Sequence, residues 1–140
     1  MNTVQENSKA LETARVLIVD DDESVREAIK GLLRSVGIHA DVFASGEEFL
    51  KSDAAKDTAC LILDVRMPGM SGLELQARLT AAGYKIPIIF ITAHASDREA
   101  RTRALEAGAV DVLYKPFKEE VLLKHVYAAL QTGGGGRDGE

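Results

Sequence analysis

Cysteine is nearly absent: Cys60 is the single one in 140 residues. No intrachain disulfide can form, and a buried thiol in a reducing compartment is the plain reading. Basic charge is also in deficit, with 17 Lys and Arg against 22 Asp and Glu and a formal net charge of -5. Neutralising phosphates takes a basic surface, so bulk electrostatics exclude nucleic acid as a direct partner. No apolar run approaches a membrane span, and residues 1–14 are too polar for a secretory segment. These absences predict a cytoplasmic protein with no membrane partner. What is present is ordinary for a globular domain, 46% hydrophobic and 28% charged residues. The length suits one domain around one core.

Along the chain, strands alternate with helices. Residues 15–19, RVLIV, form an apolar run that ends in Asp20, Asp21 and Asp22. From Glu23 the spacing turns helical, with Val25, Ile29, Leu32, Leu33 and Val36 on one face and Gly37 closing it. Asp22 is better placed to cap this helix than to hold a metal. Residues 39–43 suit a short second strand, and Ser45 with Glu48 gives a capping box for the next helix. KSDAAKDT, residues 51–58, reads as a polar loop. The run CLIL, residues 60–63, then stops at Asp64.

Met67, Pro68 and Gly69 break the chain before Ser71 and Glu74 form a second capping box. Leu73, Ala77 and residues 79–82 carry that helix to Gly83. IPIIFI, residues 86–91, has Pro87 at its start, where it costs no ladder bond, and ends at Thr92. Ser96 and Glu99 predict a third capping box for a helix ending at Gly108. Residues 110–114 make a fifth strand ending at Lys115, and Val121, Leu122, Val126, Ala129 and Leu130 mark a final amphipathic helix. Residues 1–13 read as a flexible lead-in, 14–131 as the domain, and 132–140 as a Gly-rich tail or linker.

Continuous apolar strands bounded by turn signals are those of a parallel sheet buried on both faces. The prediction is an α/β three-layer sandwich, a five-stranded parallel sheet with five helices. In flavodoxin-like order 2-1-3-4-5, the crevice between strands 1 and 3 gathers Asp20, Asp21 and Asp64. Crowded carboxylates repel, and one stays protonated unless a cation joins them. An all-oxygen ligand set favours a hard ion such as Mg²⁺. Lys115 adds a compact positive charge for Asp64 or for an incoming phosphoryl group, and Thr92 a hydroxyl donor. The combination describes phosphoryl transfer with a carboxylate as nucleophile.

VLIVDDDES, LILDVRMPGMSGLEL, FITAH and YKPF, in this order, resemble a response-regulator receiver domain of bacterial two-component signalling. DVRMPGMSG and the His after Thr-Ala look most like FixJ-type receivers. The resemblance implies that Asp64 accepts phosphate from a phosphohistidine on a sensor histidine kinase or phosphotransfer protein. It implies Mg²⁺ (or Mn²⁺) on Asp21, Asp64 and the backbone carbonyl of Arg66, with Asp20 helping directly or through water. Thr92 would hydrogen-bond the phosphoryl group and Lys115 would pair with it. The Lys115-Pro116 bond would be cis. Arg66 and His94 would tune hydrolysis of the acyl phosphate; the bland alternative is two solvated side chains.

Receivers often carry an aromatic switch residue where this chain has Val112. Tyr114, two residues on, shares its face by strand alternation but not its place. The chain also ends without an output domain, so it reads as a stand-alone receiver or a fragment cut at a linker. Expected partners are the kinase and a second copy, bound through the fourth helix, fifth strand and fifth helix, or through the first and fifth helices. The reading is a phosphorylation switch, not a conventional enzyme. Three rivals stand beside it. A flavin or nucleotide binder would need glycines where Asp20–Asp22 stand. An Asp phosphatase would carry an acid at Arg66, and a phosphorylation-free scaffold would not need the acidic set.

Overall fold

The computed structural model describes residues 15–94 and 97–131. The expectations for the lead-in and for the tail lie outside the described residues, as does Ser96 itself. Strand β1 (Arg15–Val19) is followed by α1 (Glu23–Ser35), β2 (Ala40–Phe43) and α2 (Gly46–Lys51). Then come β3 (Thr58–Asp64), α3 (Gly72–Ala81), β4 (Ile88–Thr92), α4 (Arg98–Glu106), β5 (Asp111–Tyr114) and α5 (Glu119–Gln131). The five strands pair in parallel in the order β2-β1-β3-β4-β5. This is the flavodoxin-like sandwich that the apolar runs predict.

Strand alternation divides the core into two halves. Leu17, Val19, Leu61, Leu63, Ile88, Phe90 and Val112 pack with Phe49 of α2, Leu75 and Leu79 of α3, and Ala104 of α4. Val16, Ile18, Cys60, Ile62, Ile89, Ile91 and Leu113 face the other way, onto Ile29 and Leu33 of α1 and Leu122 and Val126 of α5. The sheet is thus covered on both sides, which is what a continuous apolar strand requires. Cys60 is a buried free thiol, and burial pushes it up to about 12.

Capping sets where the helices begin. Asp22 accepts from the Ser24 and Val25 amides at the start of α1. Ser45 accepts from the Glu48 amide at α2, while Glu48 reaches back to Ala44 N–H rather than to the cap itself. Ser71 and Glu74 form the full reciprocal box at α3.

Four details depart from the sequence expectations. The loop at 51–58 contains a 3₁₀ turn, Ala54–Asp57, and Thr58 already belongs to β3. The buried Thr58 hydroxyl donates to the Ala54 carbonyl at 2.8 Å, tying turn to strand. In α3 the buried residues are Gly72, Leu75, Gln76 and Leu79, and Ala77 is exposed. Its contact face is set by packing on Phe90 and α4, not by counting apolar letters. Val36 is the exposed C-cap of α1 instead of a core residue. Finally, Asp97 caps α4 by accepting from Ala100 N–H, so the cap lies one residue beyond Ser96.

Candidate functional site

Four strands end at the same edge, and each delivers a polar side chain there. Asp20 follows β1 and is fully buried, yet every oxygen it carries has a partner. One carboxylate oxygen accepts from Asp22 N–H at 2.8 Å, and the other faces Lys115 Nζ at 3.3 Å. Its backbone carbonyl accepts from the Arg26 guanidinium at 2.8 Å. Asp21, next in the chain, is exposed. Asp64 ends β3 with 6% of its surface exposed, and its Oδ1 accepts from Arg66 N–H at 3.2 Å. Oxygens of Asp20, Asp21 and Asp64 all lie within 4.8 Å of one another.

Thr92 ends β4, buried, and its hydroxyl oxygen accepts from His94 N–H at 3.1 Å. Lys115 follows β5 and is held beside it, its N–H donating to the Thr92 carbonyl at 2.8 Å. The Lys115-Pro116 bond is cis. Sheet order explains the gathering: β3 stands between β1 and β4, so residues far apart in sequence meet at the crevice.

Electrostatics at this edge are strained. Burial is the main force pushing the Asp64 carboxyl up to about 7, and the Asp20 charge adds to it. Lys115 and the Arg66 N–H pull the other way without cancelling the rise, and Asp21 adds a smaller push upward. The ion pair of Lys115 goes to Asp20 and not to Asp64. A wholly buried carboxylate needs the nearest countercharge most. Among the described residues, three carboxylates share one ammonium, and no Cys or His stands among them. That donor set fits a hard divalent ion such as Mg²⁺ or Mn²⁺.

Around this centre, Arg66 is exposed and pairs through its guanidinium with Asp97. His94 is also exposed. Val112 is buried in the core half that packs on α4, and Tyr114 is half-buried at the strand end. Three residues that sequence reasoning did not single out support the site. Gly72 lies so close beneath Asp64 that a Cβ would sit 2.1 Å from the Asp64 carbonyl oxygen. Its only sequence signal is its place just after the Ser71 cap. Arg26 grips the Asp20 carbonyl and has no signal beyond its place in the first turns of α1. Asp97 has the signal of a second cap-competent residue beside Ser96.

The family described as response regulator receiver domain matches residues 16–127. Nodulation protein W of Bradyrhizobium diazoefficiens is 45% identical over 125 residues, covering 89% of this chain and 55% of that protein. Response regulator protein TodT of Pseudomonas putida is 47% identical over 116 residues, covering 83% of this chain and 51% of that protein. The chain therefore spans about half the length of the curated relatives it matches. Among solved structures, a receiver protein from Burkholderia phymatum superimposes with a TM-score of 0.71 at 49% identity, covering 84% of this chain and 94% of that one. Among the described residues no helix is long and apolar enough to cross a membrane. With the parallel sheet and its acidic edge agreeing with this match over most of its length, the chain belongs to the response regulator receiver domain family of two-component signalling.

Proposed function

We propose that Asp64 is the phosphoacceptor of a phosphorelay switch. The observation that carries this reading is a nearly buried carboxylate at the end of β3, crowded by Asp20 and Asp21 and facing Lys115. In the transfer, an Asp64 carboxylate oxygen attacks phosphorus and the bond from phosphorus to the imidazole nitrogen of the donor phosphohistidine breaks. The imidazole leaves with the electron pair and takes up a proton. Asp21, Asp64 and the Arg66 carbonyl, with Asp20 directly or through water, would hold Mg²⁺ or Mn²⁺. The ion supplies neutralisation of the charge on the phosphoryl oxygens. Lys115 leaves Asp20 to pair with the new phosphoryl group, and the Thr92 hydroxyl turns to donate to it. Arg66 and His94, both at the open side, set how readily water reaches the acyl phosphate.

The switch rests on contacts made only in the phosphorylated state. Thr92 leads directly into the loop before α4, so its movement reaches the face made by α4, β5 and α5. Val112 occupies the usual aromatic position there, and Tyr114, two residues on, shares its face without taking its place. A sensor histidine kinase or phosphotransfer protein is the donor. A second copy, through α4–β5–α5 or α1 and α5, is the other partner. The module works in the cytoplasm, with residues 14–131 as the receiver and the flanks as lead-in and linker. Transcription regulation is its output by analogy with the transcriptional regulatory proteins TdiR of Thauera aromatica and FixJ of Azorhizobium caulinodans, of which it matches 54% and 56% of the length. It turns over no separate substrate beyond accepting and slowly losing phosphate.

The test is incubation with acetyl phosphate and Mg²⁺, fast quenching and intact mass, beside Asp64→Ala. One phosphoryl group on the parent and none on the variant is the expected result. A parent that gains no mass would leave a receiver-shaped binding scaffold.

A further inference from the structure

Asp97 is anchored from three sides. Its backbone N–H donates to the His94 carbonyl at 3.0 Å, one carboxylate oxygen caps α4 at Ala100 N–H at 3.2 Å, and the other pairs with the Arg66 guanidinium. Its side chain is 14% exposed, against 56% for Arg66. The aspartate is therefore the fixed partner and the arginine the movable arm. Arg66 is also tied to the acceptor, since its own N–H donates to Asp64 Oδ1. The pair thus clasps the loop after β3 to the start of α4.

We infer that Asp97 is a positioning residue that holds the Arg66 side chain away from Asp64 until a phosphoryl group there takes it over. The inference rests on the phosphoacceptor reading of Asp64. A phosphoryl group adds about 1.5 to 2 negative charges and three acceptor oxygens. It offers a guanidinium two parallel charge-assisted bonds. Asp97 offers one oxygen, because the other is committed to the helix cap. The phosphoryl group wins that competition, the clasp opens, and the start of α4 is uncoupled from the loop after β3 while its cap stays intact. Charge at Asp64 thereby reaches α4 by a second route, through the Arg66 side chain. The coupling is reciprocal: whatever weakens the clasp favours the phosphorylated form.

The probe is beryllofluoride, a tetrahedral phosphoryl mimic, titrated with Mg²⁺ and counted by fluorine NMR. Asp97→Asn keeps a cap-competent side chain but loses the charge. It should lower the titration midpoint by about two- to five-fold, the range expected for an exposed ion pair. Arg66→Ala keeps the residue 66 carbonyl and should raise the midpoint. In the Arg66→Ala background, Asp97→Asn should then change nothing. An equal shift with and without Arg66 would show Asp97 acting through the helix cap, and would overturn the exchange. So would a single variant that matches the parent. A parent that binds no beryllofluoride and gains no phosphoryl group from acetyl phosphate would remove the phosphoacceptor reading and the exchange together.

Discussion

At the carboxyl end of the sheet, three carboxylates crowd around one ammonium, and Asp64 is held far above its ordinary range. At the amino end, between α3 and α4, lies an apolar hollow of about 460 Å³, walled by residues such as Leu79, Tyr84, Ile86, Pro87 and Val110. The buried Gln76 at its side is quietly satisfied, donating to the Ala104 carbonyl at 3.2 Å. The two ends teach that a roomy apolar hollow does not mark the site of this fold. Crowded carboxylates are the stronger pointer, because perturbed titratable groups gather at functional sites.

The contrast makes opposite demands on stability. Gly72 is the strictest point at the carboxyl end, with the Asp64 carbonyl 2.1 Å from where a Cβ would be and its own N–H bonded to Val65. Gly72→Ala should cost ~3 kcal/mol or more, read as a lowered urea midpoint, because backbone meets backbone there. A parent-like midpoint would show that the loop yields, and the site would then be less tightly built than the comparison requires.

The next largest effect is on pH. The folded value of Asp64, about 7, lies above its ordinary value of 3.8. Its contribution to stability is thus complete below about pH 4 and is lost as pH rises through about 7. In chelator, the parent should lose on the order of 2 kcal/mol between pH 5 and pH 8, after discounting for the coupling to Asp20. Asp64→Asn should flatten that profile and unfold at higher urea than the parent at pH 8. A profile equally steep in both proteins would place the strain elsewhere. At the amino end Gln76→Leu keeps volume and removes one hydrogen bond, so about 1 kcal/mol should be lost. Phosphoryl uptake should be unchanged, and a loss of uptake would dissolve the distinction between the ends.

Much of this was readable from residue order. Apolar runs stopping at Asp20, Asp64 and Thr92, with Lys115 after a fifth, place the polar residues on strand ends. Ser71 with Glu74 announced a helix start because the capping chemistry is local. Other starts were less readable, for local reasons too. Ser96 and Asp97 are both cap-competent residue types, and residue order alone does not say that Asp97 takes the cap. The face of α3 departs from its apolar pattern at Ala77 because a small residue satisfies that pattern without being buried. The turn at Ala54–Asp57 depends on the Thr58 hydroxyl, whose burial the sequence does not display.

What the chain determined by itself was therefore the repeating strand-helix order, most caps, and the chemical character of each strand end, since all of these depend on near neighbours. Tertiary structure alone decided the pairings. Lys115 meets Asp20 across 95 positions and Arg66 meets Asp97 across 31. Gly72 is pressed against the carbonyl of Asp64. The rise of Asp64 was likewise out of reach, because desolvation and repulsion depend on which atoms close over a carboxylate, and only the parallel sheet order brings those atoms together.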